Sequence, residues 1–411
     1  MTTDAPPKTN SSRRFIVTVV NIMHSLGHVN IQGIPILYPV LRDHFAFGYV
    51  GIAFLSLVSQ VVTGPMQITF GVLTRFARRF QILGVGNALA FIGTIFMAVS
   101  QNFSHLVIGR AFRALGTCTY HPVGGAIMAA SFPNDRAKAL GLYDTAGNIG
   151  NLVAPLLVGA LLHVLGWRSV LFILGMPFII TSILCFSVKE TADPVPIEIK
   201  KRDRFGLQEY KTVFRNRNSL ILSLTMMAGA GGRGGGVIQT YLTVLLVDRF
   251  DMSVSLSALF FAAYTFGGMF GPLAMGWFSD RTSPLLATRL NLVCFSLSIV
   301  SILTPAVPGI PLAVFIFLSG FFIGSRNALL QTLLLQCGTQ DARIDTQLSL
   351  YFTIGAISGP FWTILVGVLV DQFGMATAIW TMAVSYVVAM IILSFIRLDQ
   401  SSDKHKPKPT R

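Results

Sequence analysis

The sequence predicts an all-α membrane protein with twelve transmembrane helices, arranged as two pseudo-symmetric six-helix bundles. Three observations lead to this fold class. Of the 411 residues, 53% are hydrophobic and 12% are charged, and the mean hydropathy of +0.66 does not suit a water-exposed surface. Apolar runs long enough to cross a hydrocarbon core of about 30 Å recur along the chain. Finally, the second half of the sequence repeats features of the first.

The apolar runs define the individual helices, because each has roughly the 20 residues that a helix needs to span a bilayer. Short polar loops separate most of them. The predicted spans are residues 15–41, 47–74, 80–100, 105–131, 139–164, 167–188, 219–247, 255–278, 285–307, 311–336, 346–371 and 375–397.

The longest polar stretch divides these spans six and six. It contains Pro194, Pro196 and the basic run Lys200-Lys201-Arg202, which do not suit a helix inside a membrane. We interpret it as a linker whose basic residues contact anionic lipid headgroups. The predicted organisation is a polar tail (1–14), a first six-helix bundle (15–188), the linker (189–218), a second six-helix bundle (219–397) and a basic tail (398–411).

The net charge of +14 would suggest a nucleic-acid partner in a soluble protein, but its placement indicates otherwise. Lys and Arg crowd both tails and one set of loops, whereas the opposite loops contain only Arg42, Arg168 and Arg249. By the positive-inside rule, this asymmetry places both termini in the cytoplasm and predicts a multi-pass protein of the cytoplasmic, or inner, membrane. No nucleic-acid partner is expected.

The sequence predicts neither a cofactor nor a metal site. No two of the four cysteines have the spacing of a metal site, and all fall inside or at the ends of predicted spans. His24 and His28 are four residues apart but lack the intervening Glu of a zinc-protease helix. No nucleophile with an adjacent base is found at mid-membrane depth, so an enzyme is not predicted.

An internal repeat relates the two halves of the chain. Three matches over so long a span indicate a six-helix unit repeated in the same orientation. The matched pairs are all 205 positions apart and are Gly71 with Gly276, residues 41–45 with 246–250, and residues 150–155 with 355–360.

Two loop segments resemble the signature motif of the major facilitator superfamily. Residues 71–79 (GVLTRFARR) resemble the loop after the second helix, and residues 276–281 (GWFSDR) resemble its second copy. Arg110-x3-Ala114-x-Gly116 is similar to the fourth-helix signature. The resemblance covers residues 15–397. It implies an alternating-access carrier that holds its substrate between two six-helix bundles near the bilayer midplane.

A weaker likeness points to one branch within this superfamily. Ser25 and His28 in the first span, and His121-Pro122 in the fourth, look similar to the fosmidomycin-resistance type of exporter. Residues 141–159 also fit the spacing of a fifth-helix antiporter signature, although ordinary packing of small residues explains this spacing as well. Antiport therefore stays open.

Ionisable groups inside the spans identify the candidate site, because each costs at least about 2.5–3.5 kcal/mol at bilayer depth. The repeat pairs His28 with Arg233, and His121 with Arg326. The family resemblance places their helices around the central cavity, so these four side chains would surround one site. Two guanidiniums and two imidazoles favour an anion, because Arg offers a planar fork for carboxylate or phosphate.

We predict that Arg233 and Arg326 clamp the substrate. The glycines of residues 229–236 would weaken the helix around Arg233 and expose backbone donors there, with close helix packing as the alternative explanation. Of Arg110 and Arg113, we expect one to point away from the cavity and Arg110 to face it. The further predicted substrate contacts are His28, His121, Arg110, Tyr120 and Asn327.

A second set of residues is predicted for gating or proton coupling. Asp144 is the only carboxylate predicted within a span, and we expect it to pair with Arg75 or Arg78 near the cytoplasmic end. Histidine changes charge near neutral pH, so its titration would couple anion affinity to protons. The full set is His24, His28, His121, Asp144, Asp280, Arg281 and Arg75.

The predicted function is secondary active transport of a small organic anion, bearing carboxylate or phosphate, with protons as the coupling ion. The expected partners are this anion, protons and the lipid bilayer, and the chain is expected to be a monomer. The alternative is a proton-driven exporter of drugs or amphiphiles, which the weaker likeness favours and the scarcity of membrane-embedded acids disfavours. The short tails argue against a transporter-like sensor.

Overall fold

The computed structural model describes residues 10–73, 76–132, 135–188, 207–230, 236–337 and 344–397, and within them every regular element is a helix. Polar residues start several of these helices. Ser253 and Ser283, for example, each accept a hydrogen bond from the backbone three residues later. The elements are α1 (Asn10–Phe45), α2 (Tyr49–Leu73), α3 (Arg79–Ala98), α4 (Phe103–Thr117), a π-helix (Tyr120–Gly124), α5 (Gly125–Ser131), α6 (Arg136–Val164), α7 (Trp167–Ser187), α8 (Leu207–Arg215), α9 (Arg217–Ala228), α10 (Gly236–Phe250), α11 (Val254–Arg281), α12 (Pro284–Ser301), α13 (Ile310–Cys337) and α14 (Ile344–Leu393).

Helix occupies most of the described part of each predicted span, and seven helices of the described chain are long and apolar enough to cross a membrane. The all-α membrane fold is therefore confirmed, while the count of twelve spans stays a prediction. Two predicted spans are interrupted: the fourth comprises α4, the π-helix and α5, and the seventh comprises α9 and α10. The last two are joined in α14, which bends at Gly374, where φ is 82°.

The predicted linker is helical in part. Residues 207–215 form α8, and α9 begins at Arg217, inside the stretch expected to be polar connection. Residues 189–206, which include the prolines and the basic run, lie outside the described residues. At the other end of the first half, α1 begins at Asn10 and so extends into the predicted tail.

Glycines allow helices within each half to approach closely. A Cβ on Gly93 of α3 would clash with the backbone of Arg113 on α4. In the second half, a Cβ on Gly320 of α13 would clash with the carbonyl oxygen of Tyr264 on α11. These are the small-residue contacts by which membrane helices gain packing energy, because lipid supplies no hydrophobic drive for their association.

The two halves meet at the end of the molecule away from the chain termini, which we call the distal end; it includes the loops at 46–48, 165–166 and 251–253. Arg42 donates to both carboxylate oxygens of Asp248, at 2.5 and 2.9 Å. The backbone N–H groups of Tyr49 and Val50, at the start of α2, each donate to Asp371 of α14 at 3.0 Å. An acid of one half thus caps a helix N-terminus of the other.

Candidate functional site

A polar cavity of about 310 Å³ lies between the two halves. Helices α1, α2 and α4 line it from the first half, and α10 and α14 from the second. Its volume is near the lower limit of pockets that hold small molecules. Its lining residues are Ile31, Gln32, Pro35, Ser56, Ser59, Gln60, Thr63, Arg110, Arg113, Thr117, Val237, Gln239, Thr240, Gly359 and Thr363, and none of them is acidic.

Arg110 reaches the cavity from α4 and is only 5% exposed. Its Nε donates to the carbonyl oxygen of Leu55 at 3.3 Å, and its Nη2 donates to the hydroxyl of Tyr38 at 3.4 Å. The Nη1 atom is buried and has no hydrogen-bond partner among the described residues. These contacts hold the guanidinium in place and leave one donor group unused.

Arg113 lies one helical turn further along α4 and is 2% exposed. Its Nη1 donates to Asn30 Oδ1 at 3.3 Å, and its Nη2 donates to Ser59 Oγ at 3.4 Å. Its Nε is also buried without a partner in the described chain. The expectation that only one of the two arginines faces the cavity is wrong, because residues three apart on a helix share a face.

Neutral polar side chains complete the cavity. Gln239 of α10 donates to Gln32 of α1, which joins the two halves at the cavity wall. These residues were not among the predicted site residues, which were chosen mainly among ionisable groups inside the spans. A signal was nevertheless present, because Ser56, Ser59, Gln60 and Thr63 recur at helical spacing inside a predicted span.

One residue of the predicted clamp, Arg326, does not line this cavity. Arg326 is 1% exposed and lies inside the second half, where its Nη1 donates to Tyr386 at 3.1 Å. Its neighbour Asn327 is half-buried, and neither residue lines the cavity. Arg233 lies outside the described residues. Anion binding by Arg233 and Arg326 therefore stays a prediction.

Three of the predicted site residues, His24, His28 and His121, come together within the first half. One ring nitrogen of each can be chosen such that all three lie within 4.8 Å of one another. His24 and His28 project from α1, and their Nε2 atoms are 3.1 Å apart. His121 projects from the π-helix, with its ring centroid 5.1 Å from that of His24 and 5.6 Å from that of His28.

This histidine cluster is adjacent to the cavity. His28 lies one helical turn, about 6 Å, before Gln32 on α1. His121 follows the cavity residue Thr117 by a similar distance along the chain. Tyr120, which was predicted to contact substrate, instead points into the first half. It is 2% exposed and donates to Asn87 Oδ1 at 2.7 Å.

Apart from the three histidines, the described residues predicted for gating or proton coupling lie on different helices, one in each half. Asp144 is exposed and forms no ion pair with Arg78 in the structure, but it interacts electrostatically with His28. Arg75 lies outside the described residues. Asp280 and Arg281 are exposed at the end of α11, and the Arg281 guanidinium stacks on Trp277 at 3.7 Å from the ring centroid. Gating by these residues stays a prediction.

A cavity between two repeated helical bundles, closed at one end by contacts between them, defines a membrane carrier. The family model of the Major Facilitator Superfamily matches residues 20–363. The chain therefore belongs to the Major Facilitator Superfamily: it is a multi-pass membrane transport protein and not an enzyme.

Individual relatives agree with this assignment. The Fosmidomycin resistance protein of Escherichia coli strain K12 is 20% identical over 65% of this chain and 65% of its own length. The Probable L-galactonate transporter of the same strain is 22% identical over 62% of this chain and 59% of its own length. Among solved structures, the nucleoside transporter NupG aligns with a TM-score of 0.81 at 12% identity, covering 92% of this chain and 99% of that one, and shows the fold alone.

Proposed function

We propose that this protein transports a small organic anion, bearing a carboxylate or phosphate group, by alternating access, and that Arg110 and Arg113 bind it. The observation that supports this most directly is the pair of buried guanidiniums at a cavity whose lining residues include no acid. Two like charges three residues apart repel each other, and an anion placed between them would relieve this repulsion.

The unused donors give the proposed ligand its contacts. Arg110 Nη1 and Arg113 Nε are buried without partners in the described chain. A buried charged donor left unsatisfied costs free energy, and a ligand carboxylate or phosphate oxygen would remove that cost. The hydroxyl and amide groups of Ser59, Gln60 and Thr63 could then accept or donate to the rest of a polar ligand.

The closed distal end supports an alternating-access cycle. Within the described residues, every hydrogen bond between the halves lies at the distal end or at the Gln32–Gln239 contact. Such contacts would close one entrance while the other admits substrate, and breaking them would be required for the opposite state. The name of the L-galactonate relative, which denotes a sugar carboxylate, agrees with the proposed substrate class.

A second candidate is export of an anionic drug. The likeness to the Fosmidomycin resistance protein supports it, and the same arginine pair would serve as its binding site. Cationic drugs fit the cavity poorly, because Arg110 and Arg113 are the only charged residues among its described lining. Coupling to protons through the histidines stays a prediction from the sequence.

Thermal stabilisation of the purified chain tests the proposal. The ligands are inorganic phosphate, mono-, di- and tricarboxylates, sugar acids, phosphate esters and cationic drugs. The variants are Arg110→Gln and Arg113→Gln, and the matched control is Arg215→Gln, which changes an exposed arginine on α8 outside the cavity. We expect at least one anion class to raise the unfolding temperature of the parent and of Arg215→Gln but of neither cavity variant.

Two results would contradict the proposal. One is stabilisation by cationic drugs alone; the other is stabilisation by anions to the same extent in all four proteins. Counterflow in proteoliposomes with the best stabilising anion then decides between transport and mere binding. Export of an anionic drug would appear as drug stabilisation that depends on the same two arginines.

A further inference from the structure

The hydrogen bonds of His24 and His28 determine where their protons reside. His24 Nδ1 lies 2.8 Å from the carbonyl oxygen of Tyr143, and His28 Nδ1 lies 2.8 Å from Asn151 Oδ1. The Tyr143 carbonyl only accepts, so His24 Nδ1 donates to it, and with the amide oxygen of Asn151 facing His28, His28 Nδ1 donates as well. In the neutral rings, each Nε2 atom therefore has a lone pair and no proton.

These two lone pairs face each other at a separation of 3.1 Å. Two acceptors at that distance repel, unless a proton or a metal ion is shared between them. A metal ion bound to both Nε2 atoms would convert the repulsion into two coordination bonds. Outer hydrogen bonds from the Nδ1–H groups to a carbonyl or amide oxygen are the usual way in which proteins orient metal-binding histidines.

His121 supplies a third nitrogen from a different element. In a tetrahedral zinc site with Zn–N bonds of about 2.0–2.1 Å, neighbouring nitrogens are about 3.3 Å apart. The pair from α1 is already near this separation, and all three nitrogens lie within 4.8 Å, so a rotation of the exposed His121 ring would complete the set. Three histidines leave a fourth position for water or for a ligand atom.

The neighbouring helix α6 leaves space for this arrangement. Gly147 faces the two rings of α1, and a Cβ there would lie 2.8 Å from His24 Cε1 and 3.2 Å from His28 Nε2. Asp144, one turn earlier on α6, interacts electrostatically with His28 and would offset part of the charge of a bound cation. The lack of a side chain at Gly147 and the carboxylate of Asp144 both favour a cation beside these rings.

From this geometry we infer that His24, His28 and His121 bind one divalent transition-metal ion of the zinc class. Imidazole nitrogen is a preferred ligand of Zn²⁺, Co²⁺, Ni²⁺ and Cu²⁺, whereas Mg²⁺ and Ca²⁺ prefer oxygen. The site is distinct from the arginine cavity and does not depend on the identity of the transported anion.

Calorimetric titration of the full chain with Zn²⁺ tests the inference, using protein purified without a polyhistidine tag. We expect one ion per chain in the parent protein. His28→Ala and His121→Ala should lose this binding, whereas His163→Ala, which changes an exposed histidine of the same half, should retain it. Visible absorption of the Co²⁺-loaded protein reports nitrogen coordination independently.

Two further variants retain all three histidines. Asn151→Ala removes the partner of His28 Nδ1 and should weaken Zn²⁺ binding about 10–100-fold, as expected for an outer-shell hydrogen bond. Gly147→Ala should weaken binding by displacing the rings. Unfolding temperatures measured in chelator identify variants that fail to fold; if the histidine variants fail, X-ray absorption of the Zn²⁺-loaded parent counts its imidazole ligands instead.

Absence of Zn²⁺ uptake by the parent overturns the inference. So does uptake that survives in folded His28→Ala and His121→Ala, or that is lost equally in His163→Ala, because the ion would then be held elsewhere. In the X-ray absorption experiment, fewer than three imidazoles at the metal would also overturn the inference. Uptake that depends on His28 and His121 but not on His163 supports it.

Discussion

The two halves of the molecule are related by the repeat, yet their fourth and tenth spans differ in structure and chemistry. In the first half, this span contains Arg110, Arg113 and, in its π-helix, His121. In the second half, the matching span is the continuous helix α13, and its Arg326 contacts Tyr386 in the interior. The repeat therefore relates positions in the backbone, whereas the candidate site lies mainly in one half.

Helix packing shows the same asymmetry. In the first half, the glycine contacts described above join α3 to α4, the third and fourth spans. In the second half they join α11 to α13, the eighth and tenth spans. The first half has a second contact of this kind, because a Cβ on Gly150 of α6 would clash with the carbonyl oxygen of Ser25 on α1. A few small residues thus decide where backbones can meet in each half.

The largest expected effect is on anion affinity, and it distinguishes Arg110 and Arg113 of the first half from Arg326 of the second. Loss of a charge-assisted hydrogen bond costs about 1.5–3 kcal/mol, so Arg110→Gln and Arg113→Gln should each weaken anion binding roughly ten- to hundredfold. Arg326→Met should lower the unfolding temperature and leave anion affinity nearly unchanged. Titration calorimetry with the best anion measures the affinity of each variant, and thermal unfolding measures its stability. A loss of affinity in Arg326→Met equal to that of Arg110→Gln would support substrate contact by Arg326, as the clamp of Arg233 and Arg326 predicted from the sequence requires.

A second prediction concerns the closest helix crossing of the second half. Gly320→Ala places a methyl group against the backbone of Tyr264 and should destabilise the protein by about 1–3 kcal/mol. Gly276→Ala is the matched control, because a Cβ at this position meets open space. Thermal unfolding in detergent gives the unfolding temperatures of Gly320→Ala, Gly276→Ala and the parent protein. Equal unfolding temperatures would show that α11 and α13 do not cross at Gly320.

The contacts that close the distal end should have a smaller effect. An exposed ion pair is worth up to about 1 kcal/mol, so Asp248→Asn should shift the balance between the two access states by roughly fivefold. Thiol labelling of Gln239→Cys, in a background without the four native cysteines, reports opening at the cavity wall. Asp251→Asn, which alters an exposed acid of the same loop region, is the control. Unchanged labelling in Asp248→Asn would exclude the ion pair as a latch.

An effect of similar size is expected for the neutral pair at the cavity wall. A neutral hydrogen bond contributes about 0.5–1.5 kcal/mol, so Gln32→Ala or Gln239→Ala should weaken anion binding by about tenfold at most. The double variant should cost little more than either single change, because both remove the same contact. Additive losses would indicate that each amide binds the anion independently.

The sequence predicted the membrane fold and the family correctly, because hydropathy, the repeat and the loop motifs are local features of the chain. It also identified His24, His28 and His121 individually. His28 and His121 were expected around one site, but their direct contact with each other and with His24 was not predicted, since His121 lies in a π-helical turn that departs from ordinary helical spacing. Arg113 was misplaced for a different reason: its spacing of three from Arg110 already puts both side chains on one face of α4. Only the structure shows its contacts with Asn30 of α1 and Ser59 of α2.

The sequence alone determined where helices run and how the chain is duplicated, because a bilayer requires long apolar segments whose backbone hydrogen bonds are satisfied internally. Tertiary structure decided which side chains reach the cavity, which histidines share a site, and that Arg326 packs within the second half. Those outcomes depend on helix rotation, glycine contacts and the π-helix. Each arises from packing between segments far apart in sequence, which the pattern of any one segment does not contain.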